Sequence, residues 1–278
     1  MSITIKALVF GIFLPALVCI TILVIAWRPW QNREKMAIAS WGPAVGVAIG
    51  YIAGYLGLKY SLQLNVSDGL EWLGYGAALI AFFSQIDGVT GKRVWIQTLI
   101  GLSFAIAFST LLIVREWMTP TWCWRLSFGS FMVVTWGLME TLAQRRHGAS
   151  MPIILCLTAA VAANIVAIEI TTFGQLAGVL AAAIAPCMAI SWLRGQASLA
   201  HGPVLIFVLI LSSLLLHSYF GYTSDTIPLA SFVIVLLAPL AAWVGEFPPV
   251  LRWRPWQATL MRVSVVAVFL TIAIALGT

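Results

Sequence analysis

The chain has 278 residues, of which 62% are hydrophobic and only 9% are charged. Soluble domains carry about 25% charged residues, and a water-soluble fold of this length would leave too much apolar surface in water. The net charge of +6 comes from basic residues placed singly or in pairs between apolar runs. That is the pattern of membrane topology signals, and it excludes the dense basic patch of a nucleic-acid binder.

In lipid every backbone N–H and C=O must be paired internally, so spans are helices or a closed barrel. A barrel would show alternating segments of about 10 residues. The apolar runs here are continuous over about 16–21 residues, which is helix length for a bilayer core. The fold class read from this is all-α: a polytopic transmembrane helical bundle of about ten spans, forming one integral membrane domain over 1–278.

The first span, Ala7–Trp27, follows Lys6. It exceeds the usual signal-peptide core of about 7–15 residues and no A-x-A cleavage site follows, so it is expected to stay as a helix. After the connection Arg28–Ser40 come spans at Trp41–Leu58, Leu70–Ile86, Trp95–Val114 and Ser127–Ala143. Five more follow at Met151–Ile168, Gly174–Leu193, Pro203–Tyr219, Ile227–Gly245 and Gln257–Leu276. Turn formers stand between them: Asp87-Gly88, Thr119-Pro120, Gly202-Pro203 and Pro248-Pro249.

Ten spans put Arg28, Arg33, Lys35, Lys92, Arg93, Arg145, Arg146, Arg194, Arg252, Arg254 and Arg262 on one side, and Lys6, Lys59, Arg115 and Arg125 on the other. The positive-inside rule then places both termini outside, in a cell membrane of the bacterial inner-membrane type. Trp27-Arg28-Pro29-Trp30-Gln31 is echoed by Trp253-Arg254-Pro255-Trp256-Gln257, and both read as interfacial anchors, since Trp favours the headgroup level and Arg meets lipid phosphate.

The second span carries Gly42, Gly46, Gly50 and Gly54. At 3.6 residues per turn these lie nearly on one face, where a neighbouring backbone can approach closely. The expectation is a helix-packing seam; a partner subunit or a second copy docking on it is the alternative use. The seventh span repeats the spacing with Gly174, Gly178, Ala182 and Pro186, each 132 residues further on. The same offset relates the third span to the eighth, the fourth to the ninth and the fifth to the tenth. This points to a five-plus-five repeat, with halves 1–145 and 146–278, inverted because each half has an odd helix count. The arrangement resembles the drug/metabolite transporter superfamily in architecture, which implies a carrier.

Ionisable groups are scarce in the spans, and such groups at membrane depth are usually functional. Glu140 and Arg262 fall near the inner face on the fifth and tenth spans, and are expected to pair. Glu169 and His217 fall near the outer face and read as snorkelling groups. Asn164 is the polar amide well inside a span. With Thr135, Gly50 and Pro186 it forms the expected mid-membrane site for a small, weakly polar solute, Trp136 being a stacking wall. Pro15, Pro186 and Pro239 interrupt their helices and free carbonyls. The outer carboxylates Asp68, Glu71, Glu116 and Asp225, among Trp72, Trp117, Trp122, Trp124, Tyr219, Phe220 and Tyr222, read as an aromatic belt.

No H-E-x-x-H, G-x-S-x-G or complete phosphate loop occurs, so no catalytic residue is assigned; a membrane enzyme with interfacial residues is the weaker reading. Cys19, Cys156 and Cys187 lie inside apolar runs and read as small buried hydrophobes, Cys123 lies between runs, and no C-x-x-C is present. No metal and no cofactor is expected. The partners expected are the bilayer and a small molecule, not nucleic acid.

Overall fold

The computed structural model describes residues 3–27, 41–59, 71–90, 99, 102–103, 106–107, 121–145, 148–168, 171–193, 198–200, 202–219 and 227–277. Among them there is no strand. In chain order the elements are α1 (Ile3–Leu8), a π turn (Val9–Phe13), α2 (Leu14–Trp27), α3 (Trp41–Lys59), α4 (Glu71–Thr90), α5 (Thr121–Arg145) and α6 (Ser150–Ala167). They continue with α7 (Thr171–Leu193), α8 (Pro203–Ser218), α9 (Leu229–Leu237), a 3-10 segment (Ala238–Glu246), α10 (Pro248–Leu251) and α11 (Pro255–Gly277).

Seven of these helical stretches are long and apolar enough to cross a membrane, and Trp72–Phe83 and Pro203–Ser218 are shorter apolar helices. The bundle surface is correspondingly apolar, with Phe13, Leu17, Phe82, Leu260 and Val268 each more than half exposed. Helices that are apolar outside as well as inside belong in lipid. The chain is thus an all-helical membrane protein. Most of the expected fourth span, Trp95–Val114, lies outside the described residues.

Two expected turns are corrected. The helix of the third span runs through Asp87-Gly88 to Thr90, and Pro248-Pro249 opens the short α10. Proline suits a first helical turn, where its missing N–H has no intrahelical acceptor. The expected turn at Gly202 holds, with φ of 119°, a conformation that glycine adopts at little cost. The aromatic residues Trp122 and Trp124 belong to α5 rather than to a loop.

The glycine face of α3 is filled by the chain's own helices. A Cβ added at Gly46 would lie 3.1 Å from the Cys19 Sγ, and one at Gly50 would lie 2.9 Å from the Pro15 carbonyl oxygen and 3.3 Å from the Ala183 Cβ. At Gly54 it would meet Pro15 and Val179, each at 2.6 Å. These pairings run in opposite directions along the two chains, so α2 and α7 both pack antiparallel to α3. Such backbone approach gives dispersion contact between helices that lipid does not drive together. On α7, Gly174 abuts Ala163 and Ala167 of α6, whereas nothing lies within 4 Å of a Cβ at Gly178. Gly42 is buried.

The remaining contacts fix the faces of the bundle. The Ser198 Oγ donates to the Ala143 carbonyl at 3.0 Å, which puts the end of α7 beside the end of α5. The Ser231 Oγ donates to the Ala273 carbonyl at 2.8 Å, and Gly277 approaches Ile165. One face therefore carries the start of α1 and the ends of α3, α6, α8 and α11; it is called the termini face below. The opposite face carries Arg145, Arg252, Arg254 and Arg262. At the centre stands α8, buried along its whole length from Pro203 to Leu215.

Candidate functional site

The span after α8 changes helical type halfway. It begins as α9 behind Pro228 and passes at Leu237 into nine residues of 3-10 helix. Runs of 3-10 helix beyond 3–4 residues are uncommon because the hydrogen bonds are poorer, and inside a helix they often mark a hinge. Pro239 is the second residue of the 3-10 segment and offers no N–H to the preceding turn. The two halves of this span line two different pockets.

The first pocket, of about 430 Å³, lies toward the termini face between α5, α8 and α9. Its walls include Phe128, Phe131, Leu215, Tyr219, Phe232 and Leu236, with Trp124 at the rim. The Tyr219 and Phe232 rings meet edge to face, 5.3 Å apart, a favoured aromatic geometry. Almost nothing polar faces this space, so it suits hydrocarbon. Leu229, Val233 and Leu237 line it and are also exposed on the perimeter of the bundle, so it opens sideways, toward the bilayer.

The second pocket, of about 490 Å³, lies toward the opposite face. The 3-10 segment lines it with Leu240, Trp243, Val244 and Glu246, and α11 with Val265 and Phe269. Here the Arg262 guanidinium donates to the Glu246 carboxylate at 3.2 Å and to the Gly245 carbonyl at 3.0 Å. Gly245 is small of necessity, because a Cβ there would overlap that guanidinium. Both charged side chains are largely buried, and a buried charge is tolerable only when paired and hydrogen-bonded. The Arg145 guanidinium lies 5.6 Å from the centre of the Trp243 ring, a cation–π distance.

The expected partner of Arg262 was Glu140; the carboxylate placed 3.2 Å from Arg262 is that of Glu246 on the preceding span. Glu140 is buried on α5 and accepts from the Gln144 amide at 3.2 Å.

The expected mid-membrane site does not assemble. Asn164 is exposed on α6, and its amide donates to the Ala160 carbonyl of its own helix at 2.8 Å. Gly50 is packed against Pro15, Cys19 and Ala183, leaving no room for a solute at that point. Pro186 is buried in α7, one turn from Ala183. Thr135 and Trp136 are buried on α5, whose main packing partners are α8 and the 3-10 segment. His217 stacks edge-on against Phe173 at 5.6 Å. Glu169 and most of the outer carboxylates lie outside the described residues, but Trp124 and Tyr219 of the expected belt line the first pocket.

Glu246, Trp243 and Phe232 were not singled out in the sequence. Pro239 was the available signal, because it marks a span that lacks one backbone donor. Among the described residues no group of three or more His, Cys, Asp or Glu is placed to hold a metal ion. Cys19 and Cys187 are buried, and none of the four cysteines is in a disulfide. No protein-family model, no curated protein and no solved structure matches the chain.

Proposed function

We propose that the chain is a membrane carrier for an amphipathic solute, which enters the apolar pocket from the bilayer and passes its polar part toward the second pocket. One observation carries this reading: a single span, α9 with its 3-10 continuation, lines an apolar pocket near one face and a pocket that holds the Glu246 carboxylate near the other. Alternating access needs such an element, common to two openings on opposite sides.

Ten spans in two inverted halves belong to the same proposal, and two facts support them. Lys59 and Thr121 end at the same face, so the chain crosses an even number of times between them. The helix α4 supplies one crossing, and a span at Trp95–Val114 supplies the second; a nine-span chain lacks it. Further, Gly50 meets Ala183, one residue from its repeat equivalent Ala182. Equivalent positions meeting on antiparallel helices are what a two-fold axis in the membrane plane produces. The symmetry is not carried through every contact: α8 packs on α5 and α3 without counterparts among the main packing pairs of α4.

The partner-docking reading loses its surface, since the α3 glycine face is occupied by α2 and α7. The test is flux. Purified protein in vesicles should speed movement of a short-chain fluorescent phospholipid between leaflets, or release of an amphipathic dye, above protein-free vesicles. Equal rates with and without protein, for both probes, would remove the carrier reading.

A further inference from the structure

The 3-10 segment has a physical property that the carrier reading leaves unused. A 3-10 helix rises about 2.0 Å per residue with 3.0 residues per turn, and an α-helix 1.5 Å with 3.6. Nine residues, Ala238–Glu246, therefore stand about 4.5 Å longer as 3-10 than as α, and are wound about half a turn further. Conversion to α would draw Glu246 toward the membrane centre by that length and swing it to the other side of the helix.

What holds the longer form is visible at its far end. Arg262 grips both the Gly245 carbonyl and the Glu246 carboxylate, the last two residues of the segment. Arg262 is itself buried on α11, and α11 is tied to α9 by the Ser231 bond to Ala273. The span is thus fastened at both ends to one neighbour, with the 3-10 residues stretched between. Within the segment, the buried Trp243 indole N–H has no hydrogen-bond partner among the described residues.

We infer that the span is a length-changing element: the Arg262 clamp on Gly245 and Glu246 holds it extended, and loss of the clamp lets it shorten to α-helix. This rests on the carrier reading for its use, since shortening would carry Trp243 and Glu246 out of the second pocket and shift α9 along the first. The physical claim about the helix stands or falls separately.

The experiment is a distance. Spin labels replace Ala230 and Phe247, both exposed, in full-length protein whose native cysteines are changed to alanine. The separation along the axis should be about 30 Å with the 3-10 segment and about 25.5 Å without it. Glu246→Gln and Arg262→Gln should each shorten it by about 4.5 Å. Gly245→Ala keeps every charge and displaces the guanidinium, so it gives the same shortening should the charge variants not fold. Pro239→Ala, with the clamp intact, should leave the distance unchanged. An unchanged distance in the folded clamp variants would overturn the inference, and so would shortening in Pro239→Ala alone. Distances that move as expected in a protein that carries neither probe would keep the inference and remove the carrier reading.

Discussion

The glycine positions allow a graded test of packing, because the structure gives each added methyl a different neighbour. In a helix interior alanine is favoured over glycine by about 0.8–1 kcal/mol. Overpacking costs about 1–3 kcal/mol. At Gly178 nothing lies within 4 Å of a new Cβ, so only the first term acts, and Gly178→Ala should stabilise by up to about 1 kcal/mol. At Gly46 the nearest atom is the Cys19 Sγ at 3.1 Å, the end of a side chain that can turn aside, so the two terms should nearly cancel. At Gly50 the nearest atom is the Pro15 carbonyl oxygen at 2.9 Å, which is backbone and cannot turn. At Gly54 two side chains at 2.6 Å and the Phe10 carbonyl oxygen at 3.1 Å crowd the same point. Gly54→Ala should cost the most, about 1–2 kcal/mol net, with Gly50→Ala next. Unfolding of the purified protein by increasing denaturing detergent measures each difference. Equal effects at Gly54 and Gly178 would refute the reasoning, because helix propensity alone treats the two alike.

Three other outcomes are expected. Asn164→Leu should change stability by less than about 0.5 kcal/mol and leave flux unaltered, because the amide bonds only within its own turn on an exposed face; a large loss of flux would return it to the site. Phe232→Ala, which removes a buried ring from the first pocket, should destabilise by about 3 kcal/mol and alter the preference among probes of different chain length. Labels at the two chain ends should react from one side of sealed vesicles, and a cysteine replacing the exposed Arg252 from the other; labelling of Arg252 and the termini from the same side would break the assignment of faces.

The helices and the glycine seam were legible in the sequence for a simple reason: a missing Cβ every four residues has few uses in lipid other than close approach. Which helices approach was not legible, since Pro15, Cys19 and Ala183 are ordinary residues with nothing to mark them as partners. The misplacement of Asn164 has the same root. The helix α6 is apolar all round, so no amphipathic period tells the inner face from the outer. The small residues Ala159 and Ala162, both buried, were a usable sign that the packed face lay on the far side. For Arg262 the carboxylate in reach is Glu246, which depth along the span could not single out. Glu140 and Arg262 do sit near the same face, but depth says nothing of azimuth, and Glu246, assigned to a loop, is brought back by the continuation of the helix past Gly245. A proline predicts a break but not what replaces the α-helix, so the 3-10 segment was out of reach.

Placing the proposed site at the edge of the bundle, and not at its centre, changes what a carrier would have to do. The buried helix α8 occupies the centre, where a solute moving entirely through protein would need an aqueous passage. An amphipathic solute makes a smaller demand, because its hydrocarbon part is already at home in the bilayer and need not be enclosed. Only its polar part meets a barrier, and moving one hydroxyl or amide through hydrocarbon with no hydrogen-bond partner costs about 4–8 kcal/mol. Each bond offered along the way lowers that barrier, and a bond to a charged group is worth roughly twice one to a neutral group. The groups at hand on the side of α9 are few but suited to this: Glu246, held by Arg262, accepts, and the Trp243 N–H has no hydrogen-bond partner among the described residues. Because Arg262 and Glu246 satisfy one another when no solute is present, the pocket need not hold an isolated charge between turnovers. On the proposed reading, a fully charged substrate would have to break that pair and leave one member unpaired, so a carrier built this way would favour neutral polar groups over ions.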